Sequence, residues 1–207
     1  MKRYRKIYYA EANFSKNEIN ASIEVLKKQK HTLMGGKQTT NLEKNVCNLF
    51  GMNYGLMTNS GSSSNLLAVK SFNFEENSEI ITPALTFSTT VSPIVQSNLI
   101  PVFVDVDYKT LQIDINKIEK AITRKTVAIM APNLIGNIAD WKNLRKIADK
   151  YKIKLIEDSA DTIGYKFLSK KKYKKAEACT TSFYASHVVT GAGFGGMVCF
   201  NNKKNLK

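Results

Sequence analysis

Two side chains able to hold or move a proton stand at the ends of short segments in this sequence. Asp158 closes Lys154-Leu155-Ile156-Glu157-Asp158, which reads as a buried strand delivering an acid at its C-terminal end. His187 closes Ser182-Phe183-Tyr184-Ala185-Ser186-His187, which carries a hydroxyl and an imidazole toward the same place. An acid so placed can pair with a protonated pyridine nitrogen and keep the ring cationic, so that it accepts electrons from a carbanion. A carboxylate that caps a helix or pairs with a lysine has the same appearance. The imidazole exchanges protons near neutral pH, and it serves equally well as a structural residue. In Asn59-Ser60-Gly61-Ser62-Ser63-Ser64-Asn65, Gly61-Ser62-Ser63 falls at a strand-to-helix junction. There backbone N–H groups and the helix dipole favour a phosphate, and glycine lets the anion approach closely. A serine-rich helix cap with no ligand reads alike. Phe87 offers a ring face for stacking or a side chain for the core.

The elements that must position these groups follow from caps and periodicity. Ser15-Lys16-Asn17-Glu18 has the form of a capping box, and Ile19, Ile23 and Leu26 give the following helix, to about Gln29, one apolar face. Gly35-Gly36 breaks the chain. Leu42, Val46, Leu49 and Phe50 define a second amphipathic helix closed by Gly51. Strands are then expected at 54–58, 79–82, 101–104, 127–130, 154–157 and 197–200, alternating with helices at 63–72, 88–96, 115–122 and 141–151. Such alternation predicts an α/β fold with a mainly parallel sheet covered on both faces. Ligands in open sheets of this kind sit beyond the C-terminal strand ends, where Asn59-Ser60-Gly61, the segment 83–87 and Asp158 all fall.

Composition narrows the classes. The 207 residues fit one large domain, with 43% apolar and 23% charged residues as in an ordinary globular protein. No apolar run reaches the roughly 18 residues of a spanning helix. The basic start Met1-Lys2-Arg3-Tyr4-Arg5-Lys6 leads into no apolar signal stretch, so a cytoplasmic protein without a membrane partner is expected. Cys47, Cys179 and Cys199 have neither metal-site nor disulfide-scaffold spacing; they read as small buried residues in a reducing compartment, and no metal site is expected. The net charge of +14 suits nucleic acid, anionic membrane or phosphorylated ligands. Its densest cluster, Lys170-Lys171-Lys172-Tyr173-Lys174-Lys175, lies between expected strands and reads as a solvated hairpin loop, not a nucleic-acid patch. A nucleotide-linked substrate is compatible with the charge.

The blocks Thr58-Asn59-Ser60-Gly61-Ser62-Ser63, 81–90, 101–107, Asn133-Leu134-Ile135-Gly136-Asn137, 156–161 and Ser182-Phe183-Tyr184 appear in the order seen in the pyridoxal-phosphate sugar aminotransferases of the DegT/StrS family, and the sequence resembles that family from about Gly35 to Phe200. The resemblance implies the large domain of a fold-type I enzyme, a three-layer α/β/α sandwich at 35–207 after an N-terminal helical segment at 1–34, lacking the family's C-terminal domain. It implies pyridoxal 5'-phosphate or pyridoxamine 5'-phosphate as cofactor. Gly61, Ser62 and Ser182 would hold its phosphate, Phe87 would cover the ring, Asp158 would pair with the pyridine nitrogen, and Asp161 would lie near the ring hydroxyl. The family's lysine is replaced by His187, as in the 3-dehydratases acting on nucleotide-linked 4-keto-6-deoxyhexoses. An imidazole cannot tether the cofactor covalently but can act as acid and base. The resemblance therefore implies 3-dehydration of a nucleotide sugar in surface-polysaccharide synthesis, glutamate as amino donor and a homodimer. The alternatives are a sugar aminotransferase relative and an inactive remnant that binds phosphate or a partner without turnover.

The sequence also departs from the family. In Thr190-Gly191-Ala192-Gly193-Phe194-Gly195-Gly196, Phe194 stands where relatives have a glutamate. The same stretch spells G-x-G-x-x-G, yet it precedes a strand and no acid follows at the spacing a dinucleotide site needs. Ala160 occupies the place of a cysteine found in iron–sulfur dehydratases, which disfavours such a cluster.

Overall fold

The computed structural model describes residues 6–8, 11–33, 35–164 and 176–206. Helix α1 (Lys16–Lys28) starts at the expected capping box: the Ser15 hydroxyl accepts the Asn17 N–H at 3.1 Å, and Glu18 accepts the Ser15 N–H at 2.6 Å. None of its residues is buried, and the stripe Ile19, Ile23 and Leu26 stays exposed. Helix α2 (Lys37–Phe50) buries Val46, Cys47 and Phe50 and ends at Gly51, whose left-handed φ of 63° lets its N–H reach the carbonyls of Cys47 and Asn48.

Strand β1 (Tyr54–Thr58) leads into α3 (Gly61–Lys70), followed by β2 (Glu79–Pro83), α4 (Ser88–Gln96), β3 (Ile100–Val104), α5 (Ile115–Ala121) and β4 (Thr126–Pro132). The chain continues through α6 (Trp141–Tyr151), β5 (Lys154–Asp158), β6 (Ala178–Ser182) and β7 (Gly196–Phe200). Helix α3 begins at Gly61, earlier than the apolar pattern predicts, because the Ser60 hydroxyl accepts the Ser63 N–H at 3.1 Å and fixes the first turn. The lysine cluster expected as a hairpin loop at 170–175 lies outside the described residues.

The strands form one sheet in the order β1-β7-β6-β5-β4-β2-β3. Neighbours from β3 through β6 pair in parallel, whereas β7 runs antiparallel to both β1 and β6. Because β7 is reversed, its first residue Gly196 sits opposite Thr58 and Ser182, the C-terminal ends of β1 and β6. Two apolar cores lie on the two faces. One joins Val46, Phe50, Ile118, Leu144 and Ile147 of α2, α5 and α6 to Leu155 and Cys199. The other joins Ala68, Val69 and Ile94 of α3 and α4 to Ile156 and Val198. This is a three-layer sandwich in which successive strand residues alternate between cores. Shortening a fully buried member such as Leu155 to alanine costs roughly 2–5 kcal/mol. No helix among the described residues is long and apolar enough to cross a membrane.

Candidate active site

The alternation along β5 sends Glu157 and Asp158 to opposite faces. Asp158 turns toward α3 and α4 and is 5% exposed. Its Oδ2 accepts from the Asn65 amide at 2.8 Å and from the Thr90 hydroxyl at 2.9 Å, and its Oδ1 accepts the Ala160 N–H at 3.1 Å. Burial pushes this carboxyl above the usual range; the bonds from Asn65, Thr90 and Ala160 pull it back, and the charge of Asp161 adds to the rise. A carboxylate offers about four lone-pair sites, so three donors leave room for one more. A cationic ring N–H is the donor that would best offset the cost of burying the charge.

The elements expected to bind an anion meet at the neighbouring strand ends. A Cβ added to Gly61 would lie 2.7 Å from the Ser182 Cβ, so glycine is what allows the start of α3 to pack against the end of β6. This contact brings Gly61, Ser62 and Ser182 together at the positive end of the α3 dipole, within one turn of the Ser60 cap. The Ser182 hydroxyl accepts the Tyr184 N–H at 3.2 Å and keeps its own proton for another acceptor. Phe87 is the N-cap residue of α4 and is 69% exposed. Its carbonyl accepts the Thr90 N–H at 3.0 Å, which sets it one turn from a ligand of Asp158.

His187 lies beyond β6, in a turn closed by its own N–H on the Tyr184 carbonyl at 3.0 Å. Its side chain is 19% exposed and Nδ1 stands 3.5 Å from Asp161 Oδ1. Asp161 uses Oδ2 to accept the Ile135 N–H at 3.1 Å, a bond that fixes the carboxylate facing the imidazole. The Tyr184 ring meets His187 edge-on at 6.1 Å and Phe194 at 6.4 Å, so the phenylalanine that replaces an expected acid packs in the same aromatic row. The hydroxyls of Thr86 and Thr190, in the loops carrying Phe87 and His187, are buried without a hydrogen-bond partner among the described residues. The residues present thus fit a phosphate-bearing cationic ring: the buried acid with a lone pair to spare suits a ring N–H, and the Gly61–Ser62 start of α3 beside Ser182 suits a phosphate.

Three side chains that hold Asp158, directly or through one another, have no role in the sequence reading: Asn65, Thr90 and Thr180. Asn65 donates to Asp158 and to the Thr89 carbonyl at 3.0 Å, and accepts from the Thr180 hydroxyl at 2.6 Å. Its position four residues after Gly61, on the same face of α3, is the signal that points to it. Asn133 forms a separate buried hub, accepting from Trp141 Nε1 at 2.8 Å and Ala139 N at 3.0 Å while donating to Ser159 at 2.8 Å and Glu157 at 3.2 Å. No group of three or more His, Cys, Asp or Glu side chains among the described residues could hold a metal ion.

Comparison with known proteins addresses the family and the fold. The family model of the DegT/DnrJ/EryC1/StrS aminotransferase family matches residues 13–207. The lipopolysaccharide biosynthesis protein RfbH of Salmonella typhimurium is 39% identical over 84% of this chain and 41% of its own length. The GDP-4-keto-6-deoxy-D-mannose 3-dehydratase of Yersinia pseudotuberculosis is 35% identical over 89% of this chain and 48% of its own. Among solved structures, the E. coli GDP-4-keto-6-deoxy-D-mannose-3-dehydratase with bound hydrated PLP superposes with a TM-score of 0.86 at 31% identity, covering 97% of this chain and 53% of that one. The chain spans about half the length of the relatives it matches. The sheet is that of the fold-type I enzymes. With the family model matched along nearly the whole sequence and the sandwich shared, the chain belongs to the DegT/DnrJ/EryC1/StrS aminotransferase family.

Proposed function

We propose that this chain is the cofactor-binding portion of a pyridoxal/pyridoxamine-phosphate enzyme that removes the 3-hydroxyl of a nucleotide-linked 4-keto-6-deoxy sugar as water. The observation that carries the reading is the imidazole of His187, held 3.5 Å from Asp161; the resemblance of its sequence segment to the family implies that it replaces the family's lysine. When bound, the cofactor supplies an electron sink and, in its amine form, a group that condenses with the sugar ketone. Gly61, Ser62 and Ser182 hold its phosphate, Phe87 covers one ring face, and Asp158 keeps the ring nitrogen protonated. Asp161 lies beside the ring hydroxyl and orients the imidazole through Nδ1, leaving Nε2 to work. His187 takes a proton next to the ring and returns it to the departing C3 oxygen, so one group serves as base and then acid.

Hydrolysis of the released sugar enamine gives a 3-deoxy-4-keto sugar and ammonia, and glutamate restores the amine. The setting is surface-polysaccharide synthesis in the cytoplasm, and a homodimer completes the active site with the portion that relatives carry beyond this length.

The test starts with the visible spectrum of the protein mixed with pyridoxal phosphate, then with glutamate, before and after borohydride. Conversion to the amine form with no covalent trapping is expected, as is loss of dehydration in His187→Asn with cofactor binding retained. Trapping on a lysine would overturn the reading in favour of an aminotransferase-type site. Absence of any spectral change would favour an inactive remnant.

A further inference from the structure

A pair of thiols meets on the face of the sheet away from the candidate active site. Cys47, on α2, and Cys199, on β7, lie far apart in sequence, yet their sulfurs approach to 3.5 Å. No disulfide joins them. Cys199 is fully buried, whereas Cys47, 4% exposed, borders an open cleft of about 260 Å³ lined by Glu43, Lys44, Tyr54 and Gly55. A Cβ on Gly55 would fall 2.6 Å from the Cys47 sulfur, so glycine leaves the thiol its place between the cleft and β7. The third cysteine faces a different partner: Cys179 lies opposite Cys199 across β6 and β7, but its thiol donates to Glu157 Oε2 at 3.4 Å.

We propose that Cys47 and Cys199 are an oxidant-responsive pair that closes to a reversible disulfide tying α2 to β7, with Cys179 a spectator. Bond formation brings sulfurs from 3.5 Å to about 2.05 Å, a movement of about 1.5 Å that a helix packed beside an open cleft can make. With hydrogen peroxide as oxidant, the Cys47 thiolate attacks one peroxide oxygen and expels hydroxide, which leaves as water after taking a proton. The Cys199 sulfur then attacks the Cys47 sulfenic sulfur, forming the S–S bond and releasing the second water. Two thiols have lost two electrons and two protons, and the peroxide has taken both. The contact with Cys199 also draws the Cys47 thiol below its ordinary pKa, against burial and the nearby Glu43 charge, which favours the attacking thiolate. This inference stands apart from the proposed reaction and survives or fails without it.

The test uses the intact chain, reduced, freed of reductant and treated with hydrogen peroxide under native conditions in the presence of glutathione as an exposed reference thiol. Acid quenching, alkylation under denaturing conditions and peptide mapping follow. Titratable thiols are expected to fall from the three of the sequence to one, with a peptide linking Cys47 to Cys199 that dithiothreitol reopens. Cys179→Ser keeps the link and Cys47→Ser loses it. Persistence of all three thiols after the glutathione is consumed would overturn the proposal. A link through Cys179, a bond between two chains, or a sulfinic acid on Cys47 without a link would do the same.

Discussion

Replacing Asp158 with asparagine is the sharpest perturbation of the candidate site, because the shape is kept and only charge and one acceptor are lost. In the native chain Asn65 and Thr90 both donate to Oδ2 and Ala160 donates to Oδ1. An amide that keeps its oxygen toward the first two must turn its NH₂ against the Ala160 N–H, which leaves one buried donor unpaired at about 1–3 kcal/mol. Against that stands relief from burying a charge, the same burial that holds this carboxyl above its usual range. Between the unfolded pKa and the raised folded one, the folded chain keeps a proton that the unfolded chain has lost. Stability of the cofactor-free protein therefore falls as pH rises through that window, and the asparagine variant lacks this component. Cofactor affinity moves the other way. Breaking a buried ion pair costs roughly 3–5 kcal/mol, and because a pyridine nitrogen can shed its proton the lower end applies, about 10²-fold in Kd. Absorbance titration with pyridoxal phosphate, and urea unfolding at a series of pH values rising from about 4, the ordinary aspartate value, measure the two effects. A variant that binds pyridoxal phosphate as tightly as the parent, with an unchanged pH slope, would refute the assignment of Asp158 to the ring nitrogen.

Other perturbations test neighbouring steps. Gly61→Ala puts a methyl 2.7 Å from the Ser182 Cβ; overpacking of roughly 1–3 kcal/mol should appear as lost stability in denaturant unfolding, and Ser182→Gly in the same chain should recover part of that stability while cofactor binding stays weak, because the phosphate then lacks the Ser182 hydroxyl. Asn133→Leu strands the Trp141 and Ala139 donors on a buried hub, so a loss of about 2–4 kcal/mol is expected in denaturant unfolding. Arg145→Met leaves Glu177, which accepts two bonds from Arg145 at 3.1 Å, with the Leu155 N–H as its remaining donor among those bonds. A drop of about 1–3 kcal/mol that high salt barely changes is expected, since both side chains are 17% exposed and little screened.

Much of the scaffold is legible because local rules govern it. The bounds of α4 and α6 match the residues expected from periodicity, and the capping box at Ser15 and the left-handed Gly51 appear as their residue types demand. The reversed strand β7 was not legible, because nothing in a five-residue apolar run records the direction of its neighbours. The same limit hid the ligands of Asp158: Asn65 and Thr90 lie 93 and 68 positions away, and only the folded sheet brings them to one carboxylate. The contact of His187 with Asp161 depends likewise on the turn after β6 folding back over the loop after β5.

Glu157 and Asp158 show where sequence stops and packing decides. Both acids end the same strand, and a reading by residue type gives each an equal claim on a ligand. The pleat separates them: Leu155 belongs to the core under α2, α5 and α6 and Ile156 to the core under α3 and α4, so Glu157 must follow the first and Asp158 the second. Glu157 is fully buried and accepts from Asn133, Ser159 and Cys179, all protein groups. Asp158 stands on the face where α3 begins at Gly61, so the anion cradle and the acid share one side of the sheet. A one-residue slip of β5 would exchange the two carboxylates, placing the acid behind the sheet and the core partner in the cleft. The register of β5 against β4 and β6, set by its apolar residues, is therefore what makes Asp158 available to a ligand.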